Sequence, residues 1–201
     1  MIIRDQKGQG FMEVIVAFGI MIMGIVSILI LTSYNLTAAD YGEKRLIASN
    51  LAREALEVIR NVRDSNWLAG NDWDGGLPVN QSVSDYRQIV KFTETDTGGG
   101  YDLQGVAEGL ETCSDCKLYV ANTIFSHLDT GADSGFRRQV EFQDICDDTP
   151  GVDDDAFTIK PINENCVNSR VGFVLTSRVI WYASNGDKKE VSTQDRIFDW
   201  R

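Results

Sequence analysis

The chain has 201 residues, with 30 acidic against 19 basic side chains and a formal net charge of −11 at pH 7. This length suffices for one long helix and one globular domain of ordinary size. Binding to phosphates requires clustered lysine and arginine, so the acidic balance argues against nucleic acid as a main partner.

An apolar run without a charged residue extends from Val14 to Leu31. At about 1.5 Å of rise per residue, a helix of this length covers roughly 27 Å, which is close to the hydrocarbon thickness of a bilayer. Glu13 lies at the start of the run, and Lys7 and Gly8 precede it. A carboxylate at this position usually has a named partner, although the N-terminal end of a helix at the membrane boundary also favours an acidic residue.

This arrangement resembles the N-terminus of type IV prepilins and pseudopilins, in which a short basic leader ends in glycine and the fifth mature residue is glutamate. The resemblance implies a leader over 1–8, cleavage between Gly8 and Gln9 by a prepilin peptidase, and N-methylation of Gln9. Glu13 becomes the fifth mature residue, and its implied role is the assembly charge that pairs with the N-terminal amine of a neighbouring subunit. A cut after Gly10 would make Glu13 the third residue, which fits the pattern less well.

The apolar run continues into an amphipathic pattern, and no proline occurs before Pro78. The length of the run, with no small-residue cleavage pattern after it, argues against a secretory signal that is removed. Apolar residues at spacings of three and four then predict one buried helix face: Ile47, Leu51, Ala55, Val58 and Val62. We expect a continuous helix over about 11–64, with 9–39 as its transmembrane or filament-core part and 40–66 as its amphipathic half.

The remaining segment, 67–201, is expected to form a β-rich head outside the cytoplasm. Asn185-Gly186 predicts a tight hairpin, and Gly98-Gly99-Gly100 is interpreted as a flexible joint. Trp67 and Trp73 are expected to be core anchors rather than a sugar-binding platform. Strands are predicted over 87–93, 117–125, 136–142, 170–182 and 189–200. A helix on an antiparallel sheet buries the apolar faces of both, so the predicted class is α+β; the resemblance implies the pilin-like lollipop.

Four cysteines lie in the predicted head: Cys113, Cys116, Cys146 and Cys166. An even number outside the cytoplasm predicts two disulfides, for which three pairings are possible. We favour Cys113–Cys116 with Cys146–Cys166. A zinc site completed by all four residues is the alternative, and a redox Cys-x-x-Cys centre is disfavoured because no βαβ pattern surrounds it.

Aspartates crowd the segment around Pro150-Gly151, and such oxygen ligands can hold calcium, as a loop does in some pseudopilins. The candidate calcium ligands are Asp147, Asp148, Asp153, Asp154 and Asp155. Their spacing does not match an EF-hand, and a solvated acidic loop is the competing interpretation. No other cofactor is expected.

The chain has one histidine and none of the common nucleophile, metalloprotease or phosphate-loop motifs, so we do not expect an enzyme. The expected function is that of a major or minor structural subunit of a type IV pilus or pseudopilus, including those of type II secretion. Expected partners are other pilin subunits, the prepilin peptidase, the assembly platform and the membrane. The expected location is the cytoplasmic membrane and then an extracellular filament. The alternatives are a single-pass, membrane-anchored binding domain that does not polymerise, and a secreted metal-binding or redox module.

Overall fold

A computed structural model of the chain describes residues 9–78, 86–95, 98–147, 157–162 and 164–199. The chain divides into two compact units, Met1–Lys44 and Arg45–Arg201. One α-helix, α1, spans Gln9–Ala69 and contributes residues to both units. It ends later than the expected residue 64, because the polar residues that follow still form helical turns. Gly70, with a positive φ of 74°, ends the helix, and its N–H donates to the carbonyl oxygen of Trp67 at 3.1 Å.

The second unit contains an antiparallel sheet, which has eight strands of different lengths among the described residues. The strands are β1 (Arg87–Thr95), β2 (Gly98–Gly105), β3 (Lys117–Ala121), β4 (Ile124–Ser126), β5 (Ala132–Asp147), β6 (Thr158–Ile159), β7 (Ser169–Tyr182) and β8 (Lys188–Phe198). This sheet and the helix confirm the predicted α+β class.

The long strand β5 is the centre of the sheet. From Phe136 to Asp147 it pairs with β7, which in turn pairs with β8. On the other side of β5, three shorter strands pair with it in succession: β3, β1 and β6. The outer strands β4 and β2 pair with β3 and β1, respectively.

The last part of α1 packs on one face of this sheet. The predicted stripe is confirmed: Leu51, Ala55 and Val58 are buried, and Ile47 and Val62 are partly buried. Ala48 and Ile59, on the same side of the helix, are buried as well. They pack in two clusters with side chains of β5 and β7, among them Phe136, Val140, Phe142, Phe173, Leu175, Val179 and Trp181. Both tryptophans predicted as anchors join this core, Trp73 buried and Trp67 partly buried. A small third cluster contains Cys113, Cys116 and Ile180.

Three local predictions were wrong in detail. Gly98, Gly99 and Gly100 are not a joint but the first residues of β2, where they pair with Thr95, Glu94 and Thr93. The strand predicted over 117–125 is a hairpin, because Asn122 and Thr123 adopt positive φ and reverse the chain between β3 and β4. The turn at Asn185-Gly186 is present but longer than two residues: Gly186 donates its N–H to Ala183, and Ala183 donates to Asp187.

Candidate functional site

The first unit exposes nearly all of its large apolar side chains. Between Phe11 and Leu31, the exposed fraction of these side chains runs from 47% at Val26 to 73% at Met23. Among the described residues, α1 is the one helix long and apolar enough to span a membrane. Because burial of one such side chain is favourable by about 1.5–3 kcal/mol, the run favours an apolar environment by an amount on the order of tens of kcal/mol.

Three hydroxyl groups in the first part of α1 are bonded within the helix. Ser27, Thr32 and Thr37 each donate to the carbonyl oxygen four residues earlier, at 2.8, 2.9 and 3.1 Å. An unsatisfied polar group in hydrocarbon costs several kcal/mol, and these bonds remove that cost. The stretch is therefore suited to lipid or to a protein core in spite of its polar residues.

Glu13 is the single charged side chain from Gln9 to Ala39. It is exposed in this chain, and it forms no ion pair with any described residue. The next charged residue, Asp40, pairs with Lys44 at 3.1 Å on the helix surface. Gly8 lies outside the described residues, whereas Gln9 is the first residue of α1. Cleavage and methylation at Gly8 and Gln9 stay predictions, as does the assembly role of Glu13.

A buried guanidinium joins the last part of α1 to the sheet in the second unit. Arg138 on β5 donates to the carbonyl oxygen of Leu51 at 3.1 Å and to the carboxylate of Glu54 at 3.2 Å. It also donates to the carbonyl oxygen of Val90 at 3.4 Å. Burial lowers the pKa of Arg138, and the Glu54 carboxylate opposes that effect. These bonds fix the register of the helix on the sheet.

A second buried charge lies near the end of β5. Asp144 is fully buried and accepts two bonds from Arg170, at 3.0 and 3.3 Å. Arg170 also pairs with Asp74 in the segment after α1, at 3.3 Å. Burial raises the pKa of Asp144, while the charge of Arg170 opposes the rise. The arrangement is an internal clamp that holds the segment after the helix against the sheet.

The candidate calcium ligands are mostly beyond the part of the chain that can be described. Asp147 is the last residue of β5, whereas Asp148, Asp153, Asp154 and Asp155 lie outside the described residues. Within the described ranges, no group of three or more His, Cys, Asp or Glu residues is arranged to hold a metal ion. The calcium hypothesis therefore stays a prediction.

The four cysteines form two disulfides, Cys113–Cys116 and Cys146–Cys166. This is the pairing that we favoured, and it leaves no thiolate for the alternative zinc site. The first bridge is buried and lies within the loop between β2 and β3, and the second joins the end of β5 to the segment before β7. Both bridges therefore cross-link segments of the head, and neither involves the helix.

The single histidine is a structural residue. His127, directly after β4, is buried, and its Nδ1 lies 3.1 Å from the carbonyl oxygen of Asp115 and 3.0 Å from that of Lys117. Nδ1 therefore carries the proton and donates to these carbonyls. Burial, together with the charge of Arg138, lowers the pKa of His127 to about 3.

Sequence reasoning missed the buried charges Arg138 and Asp144, but a signal for both exists. In β5 the alternation Phe136, Arg138, Val140, Phe142, Asp144 places two charged residues in phase with the buried apolar face. A charged side chain in that phase requires a buried partner. The positions of those partners, Glu54 and Arg170, are distant in sequence and cannot be found from periodicity.

Comparisons with protein-family models, with curated proteins and with solved structures found no match to this chain.

Proposed function

We propose that this chain is a subunit, major or minor, of a type IV pilus or related pseudopilus, and that it polymerises through the first part of α1. The observation that carries the proposal is the exposed apolar first part of α1, in which the single charged side chain from Gln9 to Ala39, Glu13, lies four residues after Gln9. This is the register in which a cut after Gly8 makes Glu13 the fifth mature residue.

The proposed path begins in the cytoplasmic membrane, with the head outside the cytoplasm. A prepilin peptidase removes residues 1–8 and methylates the amine of Gln9. An assembly platform then moves the subunit into the core of a surface filament, where the apolar side chains of neighbouring helices cover one another. The exposed side chains from Val14 to Leu31 support this step, because transfer from lipid into a helix bundle keeps them in an apolar environment.

Glu13 supplies the specificity of assembly in this proposal. A carboxylate near the apolar part of a membrane costs up to about 2.5–3.5 kcal/mol, and a partner of opposite charge offsets that cost. The N-terminal amine of a neighbouring subunit is such a partner. Since no described residue pairs with Glu13, its carboxylate is available to a second chain.

The alternative is a membrane-anchored domain that does not polymerise. It is favoured by the length of the apolar run, which suffices to span a membrane without any processing. The two functions differ in the fate of residues 1–8, since an anchor keeps them.

The test is the intact mass and the N-terminal peptide of the protein purified from its native membrane, with tandem mass spectrometry to locate the first residue. We expect the chain to begin at Gln9. The variant Gly8→Val is expected to keep its leader, and the matched variant Gly10→Val to be processed normally. A wild-type chain that begins at Met1 would overturn the proposal, and one that begins at Phe11 would overturn the register of Glu13.

A further inference from the structure

The residue that the proposed cleavage exposes has a reactive side chain of its own. Once Gln9 is the first residue, a bond between its free α-amine and its side-chain carbonyl carbon would close a five-membered ring. The amine nitrogen attacks the side-chain carbonyl carbon, a new C–N bond forms, and the amide C–N bond breaks. Ammonia leaves, and the product is a neutral lactam. No oxidant, reductant or second molecule is needed, and the proximity of the two groups replaces an encounter.

We propose that Gln9 is a cyclisation site, at which the mature chain converts its first residue to pyroglutamate and so loses its N-terminal charge. This inference rests on the proposed cut after Gly8. It concerns a modification that competes with the charge pairing of the assembled filament.

The local structure permits the ring to form. The following residue is Gly10, and a side-chain carbon placed there would meet nothing within 4 Å. A glycine in the first turn also weakens the helix relative to alanine, so the end of α1 can open. The first turn contains no acidic residue that would hold the amine in place.

The helix itself favours the uncharged product. The N-terminus of a helix carries a partial positive charge, and a cation placed there is disfavoured. Removal of the ammonium relieves that repulsion. The lactam also enters an apolar environment more easily than a charged amine does.

Cyclisation changes the charge balance of the whole apolar stretch. From Gln9 to Ala39, Glu13 is the single charged side chain, and a free amine at Gln9 makes the stretch neutral. In the cyclised chain the Glu13 carboxylate of a neighbour has no cation to pair with, and burial of an unpaired carboxylate is strongly unfavourable. A cyclised chain is therefore a poor filament subunit, and rapid assembly protects the amine.

The experiment follows the N-terminal mass of the purified full-length protein in detergent at neutral pH over several days. We expect the peptide that begins at Gln9, methylated or not, to lose about 17 Da as ammonia leaves. The matched control is Gln9→Leu, whose side chain of similar size has no carbonyl carbon for the amine to attack and is expected to keep its mass. Gln9→Met serves as a second control that cannot cyclise.

The outcomes separate this inference from the function on which it rests. Loss of ammonia from the wild type, but not from the two variants, supports both. A chain that begins at Gln9 and keeps its mass overturns cyclisation and leaves the pilin proposal intact. A chain that begins at Met1 overturns the pilin proposal, and cyclisation with it, because Gln9 then has no free amine.

Discussion

The buried histidine makes the stability of the head depend on pH below neutrality. His127 is 7% exposed, and its Nε2 has no hydrogen-bond partner among the described residues. A second proton on the ring would be buried next to the cationic Arg138. The pKa of His127 is accordingly lowered from 6.5 to about 3, chiefly by burial.

The sign and size of the effect follow from this difference. Below pH 6.5 the unfolded chain binds a proton at His127 that the folded chain does not bind until about pH 3. The free energy of unfolding is therefore undiminished by this group well above pH 6.5, and it falls as the pH drops below that value, by about 1.4 kcal/mol per pH unit. Between pH 7 and pH 5, this group alone lowers the free energy of unfolding by about 2 kcal/mol.

The assay compares the wild type with His127→Asn, whose amide nitrogen takes the place of Nδ1 and does not titrate. Urea unfolding of the full chain in detergent, followed by tryptophan fluorescence at pH 7, 6 and 5, gives the free energy of unfolding of each. Since the carboxylates are common to both chains, their contributions cancel in the difference. We expect the wild type to lose about 2 kcal/mol more than the variant between pH 7 and pH 5. Equal losses would refute the assignment of a neutral, buried His127.

Three further predictions concern the stability of the head. Gly172→Ala is expected to destabilise it by about 1–3 kcal/mol, because the added carbon would lie 2.4 Å from a carbonyl oxygen of β8. The control is Gly109→Ala, whose added carbon meets nothing within 4 Å and whose thermal unfolding midpoint should stay near that of the wild type. Similar midpoints for the two variants would contradict the packing at Gly172. Replacement of Cys146 and Cys166 by serine opens a bridge of sequence separation 20 and is expected to cost about 3 kcal/mol in urea unfolding; an unchanged midpoint, or free thiols in the wild type, would contradict the pairing. Thr123→Gly is expected to stabilise the head by about 1 kcal/mol, since Thr123 has a φ of +67°; a loss of stability would argue against that turn.

The fold class and the helix were predictable because their signals are local and periodic. The stripe from Ile47 to Val62 follows the helical period, and the strongest strands are long runs bounded by turn residues. The start of β2 was missed because Gly98, Gly99 and Gly100 carry no side-chain signal, and pairing with β1 alone makes them a strand. The β3–β4 reversal was missed because Asn122-Thr123 is not a strong turn signal and a β-branched residue rarely adopts positive φ.

The candidate site was predictable only as far as the sequence places Gly8, Gln9 and Glu13 in register. Their roles depend on other molecules: a peptidase, a neighbouring chain and a membrane. The buried ion pairs of Arg138 and Asp144 depend instead on partners far away in the sequence, Glu54 and Arg170. Periodicity indicates that such residues are buried, and three-dimensional packing decides what they bind.

The central claim is that the chain polymerises through α1 with Glu13 as its assembly charge. The most direct measurement is the fraction of the protein that pellets as sheared surface filaments rather than remaining in the membrane, for the wild type and for Glu13→Gln in the native host. The account predicts that the wild type is recovered in filaments. It also predicts that the variant is cleaved normally but at least about tenfold depleted from them, as a loss of some 1.4 kcal/mol at each contact would require. A wild type that is found only as a membrane-bound monomer, or a variant that enters filaments as well as the wild type, would contradict it.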